Sequence, residues 1–458
     1  MHTPAVRHLA TVAITALTLA ALPAATAAAA PAAPTSPSAP SVAAKAAGAS
    51  SDAFYAYDGS EPLSSFAPGT VLKTRTLQYH VLGIPTPVKA VQLLFRTTDA
   101  QGRPSVGVTS VVRGVGSDGT KAVSYQSAYD SLSPGDAPSR AIAGNVSLGG
   151  VLPNAESLVL VPFLLQGYDV IVPDTEGQSA DFAAGPEYGT TTLDSLRAVG
   201  NSSETGMNAE TRFGLIGYSG GAIATQWAAT MAPAYAPDIN RRLVGYTEGG
   251  LLVDPAHNLK YVDGSVVWAG VIPMAIIGVS RSFGIDLKPY LSPYGLSVYG
   301  KLEHGSIVNA LGQYPGLTWK KMAKPEYADP NSVPEFLQAV NRLNLGSAAT
   351  PTVPAFIAQG NGGVLEGTFS NLPGIGTGDG VMVAGDVRTL ARQYCDTGNK
   401  SVKFQQYGAF SHVGAIVPWA PQALGWLNDR FAGRAAPSDC GRIPAGNSLA
   451  PEKPARTS

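Results

Sequence analysis

Over most of the chain, short apolar runs alternate with longer stretches of helical period. Residues 91–95 and 106–112 are apolar runs on either side of Asp99-Ala100-Gln101-Gly102, a pattern that predicts an antiparallel hairpin. Further apolar runs at 121–128, 168–172, 213–218, 243–246, 353–358 and 402–407 read as strands, and 152–166, 190–199 and 418–431 read as helices. After the opening hairpin, strands and helices alternate, which implies an α/β chain with a mostly parallel sheet covered on both faces.

One interval breaks the alternation. Residues 251–350 lie between the strand ending near Gly249 and the strand beginning at Val353, far more than one crossover needs, and they predict an inserted subdomain. The insertion opens with an uncharged stretch, 266–279, that is too short to span a bilayer and contains Pro273. Tyr290, Leu291, Tyr294, Leu296 and Tyr299 follow. The remaining body divides into 52–250 and 351–444.

The ends have a different character. Arg7 and His8 precede an apolar run, 9–22, and an Ala-rich stretch, so 1–30 is expected to be a secretory signal cut near 28–30, with a membrane anchor as the alternative. Residues 31–51 are rich in Ala, Pro and Ser and are expected to be a disordered leader, and 445–458 a disordered tail. A secreted, extracellular monomer is the resulting expectation.

Composition narrows the classes. The chain has 458 residues, 45% hydrophobic and only 14% charged, enough to bury a large core beneath a weakly charged surface. A formal net charge of −1 gives neither nucleic acid nor an anionic membrane an electrostatic hold. In an exported chain the two cysteines, Cys395 and Cys440, favour a disulfide over free thiols, worth about 4 kcal/mol by the chain-entropy argument. No Cys/His cluster has zinc-site spacing, and no metal or cofactor is expected.

The most informative local pattern is Gly217-Tyr218-Ser219-Gly220-Gly221, a G-x-S-x-G sequence between an apolar strand and a helix of small residues. In that context it forms a sharp turn that lifts the serine hydroxyl above a sheet. Ser219 then needs a base, and the base an acid to hold its tautomer. In scaffolds with such an elbow the order along the chain is Ser, then Asp or Glu, then His. His412 is the one histidine placed between the last strand and the last helix, and it is expected in a loop there. The acid should follow the strand at 353–358; Asp379 is the first choice, with Glu366 and Asp386 as alternatives. The residue after the nucleophile usually supplies one oxyanion donor, here Gly220, and the second should come from the loop beginning Tyr129-Asp130-Ser131.

With these residues placed, the chain resembles the secretory lipase family, the secreted fungal and actinobacterial lipases typified by yeast lipase A. The resemblance runs from about residue 51 to 444. It is carried by Val123-Ser124-Tyr125-Gln126 leading to Asp130, by Gly167-Tyr168 leading to Pro173-Asp174-Thr175-Glu176-Gly177, by the elbow, and by Ser411-His412 ahead of Leu424-Gly425-Trp426-Leu427. It implies an α/β-hydrolase fold with an inserted helical cap that shapes an acyl tunnel. It further implies catalysis by Ser219, Asp379 and His412, an oxyanion site at Gly220 and Asp130, and a Cys395–Cys440 disulfide. The implied substrates are triacylglycerols or other acyl esters, with transient contact of the cap with a lipid interface. Short-chain carboxylesterase activity is the alternative, followed by a serine peptidase and a non-catalytic binding module. One departure is that residues 361–378, rich in Gly, separate the strand from Asp379, where the family usually has only a few residues.

Overall fold

The computed structural model describes residues 52–455, so the expected signal at 1–30 and leader at 31–51 lie outside the described residues. Nine strands form one sheet: β1 (Val71–Val81), β2 (Ile84–Thr98), β3 (Pro104–Val112), β4 (Lys121–Gln126), β5 (Asp169–Pro173), β6 (Arg212–Tyr218), β7 (Leu243–Gly249), β8 (Ala355–Gly360) and β9 (Val402–Tyr407). Their order is β1-β2-β3-β5-β4-β6-β7-β8-β9. β1, β2 and β3 pair antiparallel, β3 joins β5 antiparallel, and from β5 to β9 every pairing is parallel. This is the α/β architecture that the alternation predicts. β1 is absent from the sequence prediction because it is a polar edge strand: Thr74, Thr76 and Gln78 face water, and only Tyr79 is buried.

Helices cover both faces. α1 (Val151–Val159), α2 (Val161–Leu165), α3 (Gly185–Asn201) and α4 (Gly220–Tyr235) precede β7. Between β7 and β8 come α5 (Pro255–Val262), α6 (Val271–Phe283), α7 (Pro293–Leu302) and α8 (Pro334–Leu343) with shorter turns. α9 (Ala384–Asp396) precedes β9 and α10 (His412–Phe431) follows it, and short unnumbered helices stand at Pro138–Ile142 and Pro237–Asn240. Leu193, Leu215, Ile223 and Ala228 belong to the core on the α3–α4 face. Val123, Ile216, Phe163 and Trp419 belong to the core on the α1–α2–α10 face.

Three sequence expectations need correction. The helix expected over 152–166 is two helices, because Pro162 has no N–H to continue the ladder. The last helix starts at His412 rather than Pro418: Ser411 caps it, its Oγ accepting from Gly414 N, so His412 sits in the first helical turn and not in a loop. Pro418 looks like a helix start, yet it lies inside the helix. Finally, the tail expected to be disordered packs along the body as far as residue 455. Leu449 is buried, Asn447 Nδ2 donates to Asp386 and to Ile375 O, and Glu452 accepts from Lys260 and Asn331. Its backbone finds partners on the insertion that the local sequence does not reveal.

Cys395 and Cys440 are bonded, tying α9 to the segment after α10. Among the described residues, no helix is long and apolar enough to cross a membrane.

Candidate active site

β6 delivers the chain to Ser219 at φ 55°, ψ −120°, a conformation a serine adopts only when its surroundings impose it, at a cost of about 1–3 kcal/mol. The turn is fixed from both sides. Ser219 N donates to Gly249 O at the end of β7, and Ala222 N and Ile223 N turn back onto Ser219 O to begin α4. The glycines are steric requirements. A Cβ on Gly217 would lie 2.1 Å from Gly221 O, and one on Gly220 would lie 1.8 Å from Asp130 Oδ1.

The first turn of α10 brings His412 to this point. Its Nε2 is 2.8 Å from Ser219 Oγ and its Nδ1 is 2.8 Å from Asp379 Oδ2. The histidine is held independently of these bonds. His412 N donates to Asp379 O, Tyr218 OH donates to His412 O, and the Trp268 ring meets the imidazole edge-on at a centroid distance of 5.0 Å. Asp379 is fully buried. Its Oδ1 accepts from Val381 N and Met382 N, and its Oδ2 from Gln359 Nε2 as well as from His412. Every acceptor direction of the carboxylate therefore faces an N–H. Burial pulls the imidazole pKa down, but the Asp379 carboxylate, with smaller contributions from Glu366 and Asp130, outweighs it and leaves His412 above its ordinary value.

The two alternative acids are engaged elsewhere. Glu366 accepts from Trp268 Nε1 and Val413 N, bracing the turn after His412 without touching the imidazole Nδ1. Asp386 faces Nδ1 of a different histidine, His257.

Asp130 follows β4 at φ 42° and is buried against Gly220. Neither Asp130 N nor Gly220 N is used in a hydrogen bond among the described residues. Desolvation pushes the Asp130 carboxyl up to about 8, with a further push from Glu156 and a smaller opposing pull from His412. Two glutamates that the sequence prediction passed over hold this loop. Glu156 on α1 accepts from Tyr125 OH, Ser127 Oγ and Ala128 N. Glu176, after β5, accepts from Ser131 N and Tyr188 OH, while its own N–H donates to Tyr129 OH. Glu176 stands in the Pro173–Gly177 run that carries the resemblance; Glu156 has no comparable local signal. The insertion also reaches this loop, with Ile307 N donating to Asp130 O and Leu132 N to Gly305 O.

Two apolar cavities meet at Ser219, and Asp130 and Trp268 line both. One runs between α1–α2 and α10, past Leu152, Val159, Phe163, Ile416 and Leu424. The other enters the insertion past Ile223, Leu252, Ile272 and Ala275. A further apolar pocket, reaching Leu259, Phe336 and Leu343, shares Pro255, Ile272 and Ala275 with it. Among the described residues, no group of three or more His, Cys, Asp or Glu is placed to hold a metal.

A serine at a strand–helix elbow, bonded to a histidine that is bonded to a buried aspartate, above a mostly parallel sheet, defines an α/β hydrolase. Comparison with known proteins agrees. The crystal structure of Candida antarctica lipase A in its closed state superposes with a TM-score of 0.72 at 22% identity, covering 88% of this chain and 91% of that one. Residues 144–439 match the secretory lipase family. Lipase 5 of Candida albicans is 30% identical over 406 residues, 86% of this chain and 83% of that protein. A Mycobacterium tuberculosis protein named as a probable inactive lipase is 31% identical over 374 residues, 80% of this chain and 79% of that protein. The chain belongs to the secretory lipase family and is a lipase or carboxylic ester hydrolase.

Proposed function

We propose that the protein is a secreted hydrolase of triacylglycerols or related acyl esters, acting through Ser219, His412 and Asp379. The observation that carries this reading is the unbroken Ser219–His412–Asp379 relay at the junction of two apolar cavities. Ser219 Oγ attacks the ester carbonyl carbon while His412 Nε2 takes the hydroxyl proton. Asp379 holds the imidazole with Nε2 free to accept and stabilises the imidazolium. The carbonyl oxygen becomes an oxyanion beside the N–H of Gly220 and the Asp130 loop. The carbonyl–alkoxy bond breaks, and His412 returns its proton to the departing alkoxide, leaving an acyl ester on Ser219. Water then attacks the acyl carbon, giving a proton to His412. Collapse of the second tetrahedral adduct releases the carboxylic acid, and the proton returns to Ser219 Oγ. No step calls on a metal or cofactor.

The helical segment 251–350 acts as a cap over Ser219. Its apolar cavity accepts the acyl chain, and the cavity along α10 accepts the alcohol side. The relative named as inactive makes a direct test necessary. Hydrolysis of p-nitrophenyl esters of two, eight and sixteen carbons by the wild-type protein and by Ser219→Ala provides it. Activity is expected to fall by about 10⁴-fold or more in the variant, with longer chains preferred by the wild type. Equal rates in both proteins would remove Ser219 from the mechanism, and a preference confined to two carbons would make this an esterase.

A further inference from the structure

Residues 361–378 are not used by the mechanism above, although they stand directly between β8 and Asp379. We propose that this segment, with Val266 and Phe410 beside it, is the face on which the enzyme docks to the surface of an uncharged lipid aggregate. The inference rests on the hydrolase reading for the identity of the occupant, but it makes a separate physical claim.

The segment is built as a fixed platform. Gly363 N donates to Gly378 O, Thr368 Oγ1 donates to Gly380 O, Leu372 bridges to Gly376, and Ile375 is buried. Its neighbours are set by contact: Val266 N donates to Gly367 O, and Gly362 N donates to Phe410 O. On this platform Leu365 is 69% exposed and Phe369 74% exposed, and Val364, Leu372, Val266 and Phe410 are exposed as well. A rigid support that presents large apolar side chains to water, in several adjacent positions, marks an interaction surface rather than scattered exposure.

Charge identifies the partner. The single ionisable residue in 361–378 is Glu366, and its carboxylate is turned inward onto Trp268 Nε1 and Val413 N. The adjoining segments continue the pattern: no Asp, Glu, Lys or Arg occurs between Asp263 and Arg281, or between Lys403 and Asp429. These segments supply Val266, Trp268, Phe410 and Val413. These segments therefore offer no exposed charged side chain of their own to pair with phosphate, peptide or nucleic-acid charge. Position then says why a lipid would meet it. Trp268 and Val413, the two residues that Glu366 ties to the platform, also line the cavity at Ser219. A lipid surface lying on the platform delivers its ester directly to that cavity.

The test compares the wild type with a Leu365→Ser/Phe369→Ser double variant in flotation with phosphatidylcholine vesicles containing triolein. Both side chains are exposed, so the fold should survive. Vesicle-bound protein is expected to drop about tenfold or more in the variant, with kcat/KM on dissolved p-nitrophenyl acetate unchanged within about twofold. Ser219→Ala is expected to float like the wild type, which separates docking from hydrolysis. A Phe369→Trp variant provides a direct reading, since the emission of the introduced indole should shift to the blue on adding vesicles. Equal flotation of wild type and double variant, or no vesicle-dependent emission shift in the Phe369→Trp variant beyond that of the wild type, would overturn the proposal. So would a wild-type dimer that the double variant dissolves without any change in flotation, which would make a second copy the occupant.

Discussion

At Asp130 the environment, not the residue type, sets the chemistry. A carboxyl lifted to about 8 by burial is neutral at pH 7 and would not oppose the oxyanion proposed beside Gly220. Above that pH it ionises and places a negative charge next to one. For His412, the proposed base, the sense is opposite: with its pKa raised, it becomes protonated and would no longer accept the Ser219 proton as pH falls through a value above its ordinary one. The profile of kcat/KM is therefore expected to be bell-shaped, with its alkaline limb near pH 8. In Asp130→Asn, which cannot ionise, that limb should vanish while the rate at pH 7 stays within about tenfold of wild type. Persistence of the alkaline limb in Asp130→Asn would show that another group controls it. All three candidate acids follow β8; the sequence puts Asp379 first, and it is Asp379, not Glu366 or Asp386, that lies against His412 Nδ1.

Among the elements, the elbow is the tightest junction. Gly220 opens α4 directly against the Asp130 carboxyl, so a methyl group there must displace that carboxyl. Gly220→Ala is expected to cost about 1–3 kcal/mol of stability by overpacking and about 10²-fold in kcat by misplacing the oxyanion site. Its KM for short esters should be little altered. Unchanged kcat would mean that the Asp130 loop has no part in the reaction. The loop itself is held by elements distant in sequence: α1 through Glu156, the segment after β5 through Glu176, and the insertion through Gly305 and Ile307. The start of α10 shows the same dependence. Proline statistics favour Pro418 as the first residue, whereas capping by Ser411 extends the helix back to place His412 on Ser219.

Across the whole molecule, buried carboxyls leave a measurable signature. Burial raises Asp130 and Asp181 to about 8 and Glu156 to about 7; Asp174 is raised to about 6. His257 and His412 are also raised. Each of these groups binds its proton more tightly in the folded than in the unfolded chain, so folding is favoured at the lower pH and loses stability as pH rises through the raised values. The lowered acids, including Asp52, Asp238 and Glu452, act in the opposite sense, but only below the ordinary carboxylate range. The midpoint of thermal unfolding is therefore expected to be at least about 2 °C higher at pH 5.5 than at pH 8.5. A midpoint that rises toward pH 8.5 would contradict the buried-carboxyl account.

The sequence by itself determined the alternation of strands and helices, the elbow at Ser219, the order that points to His412, and the disulfide partners. These are local patterns, or choices among few candidates, and periodicity, turn chemistry and chain order express them directly. Tertiary structure alone decided which glutamates hold the Asp130 loop, that β1 extends the sheet, and that the tail follows the body. Those outcomes depend on burial and on hydrogen bonds between positions tens of residues apart. Such contacts form only when the sheet, the insertion and the tail close on one another, and no single segment carries their pattern.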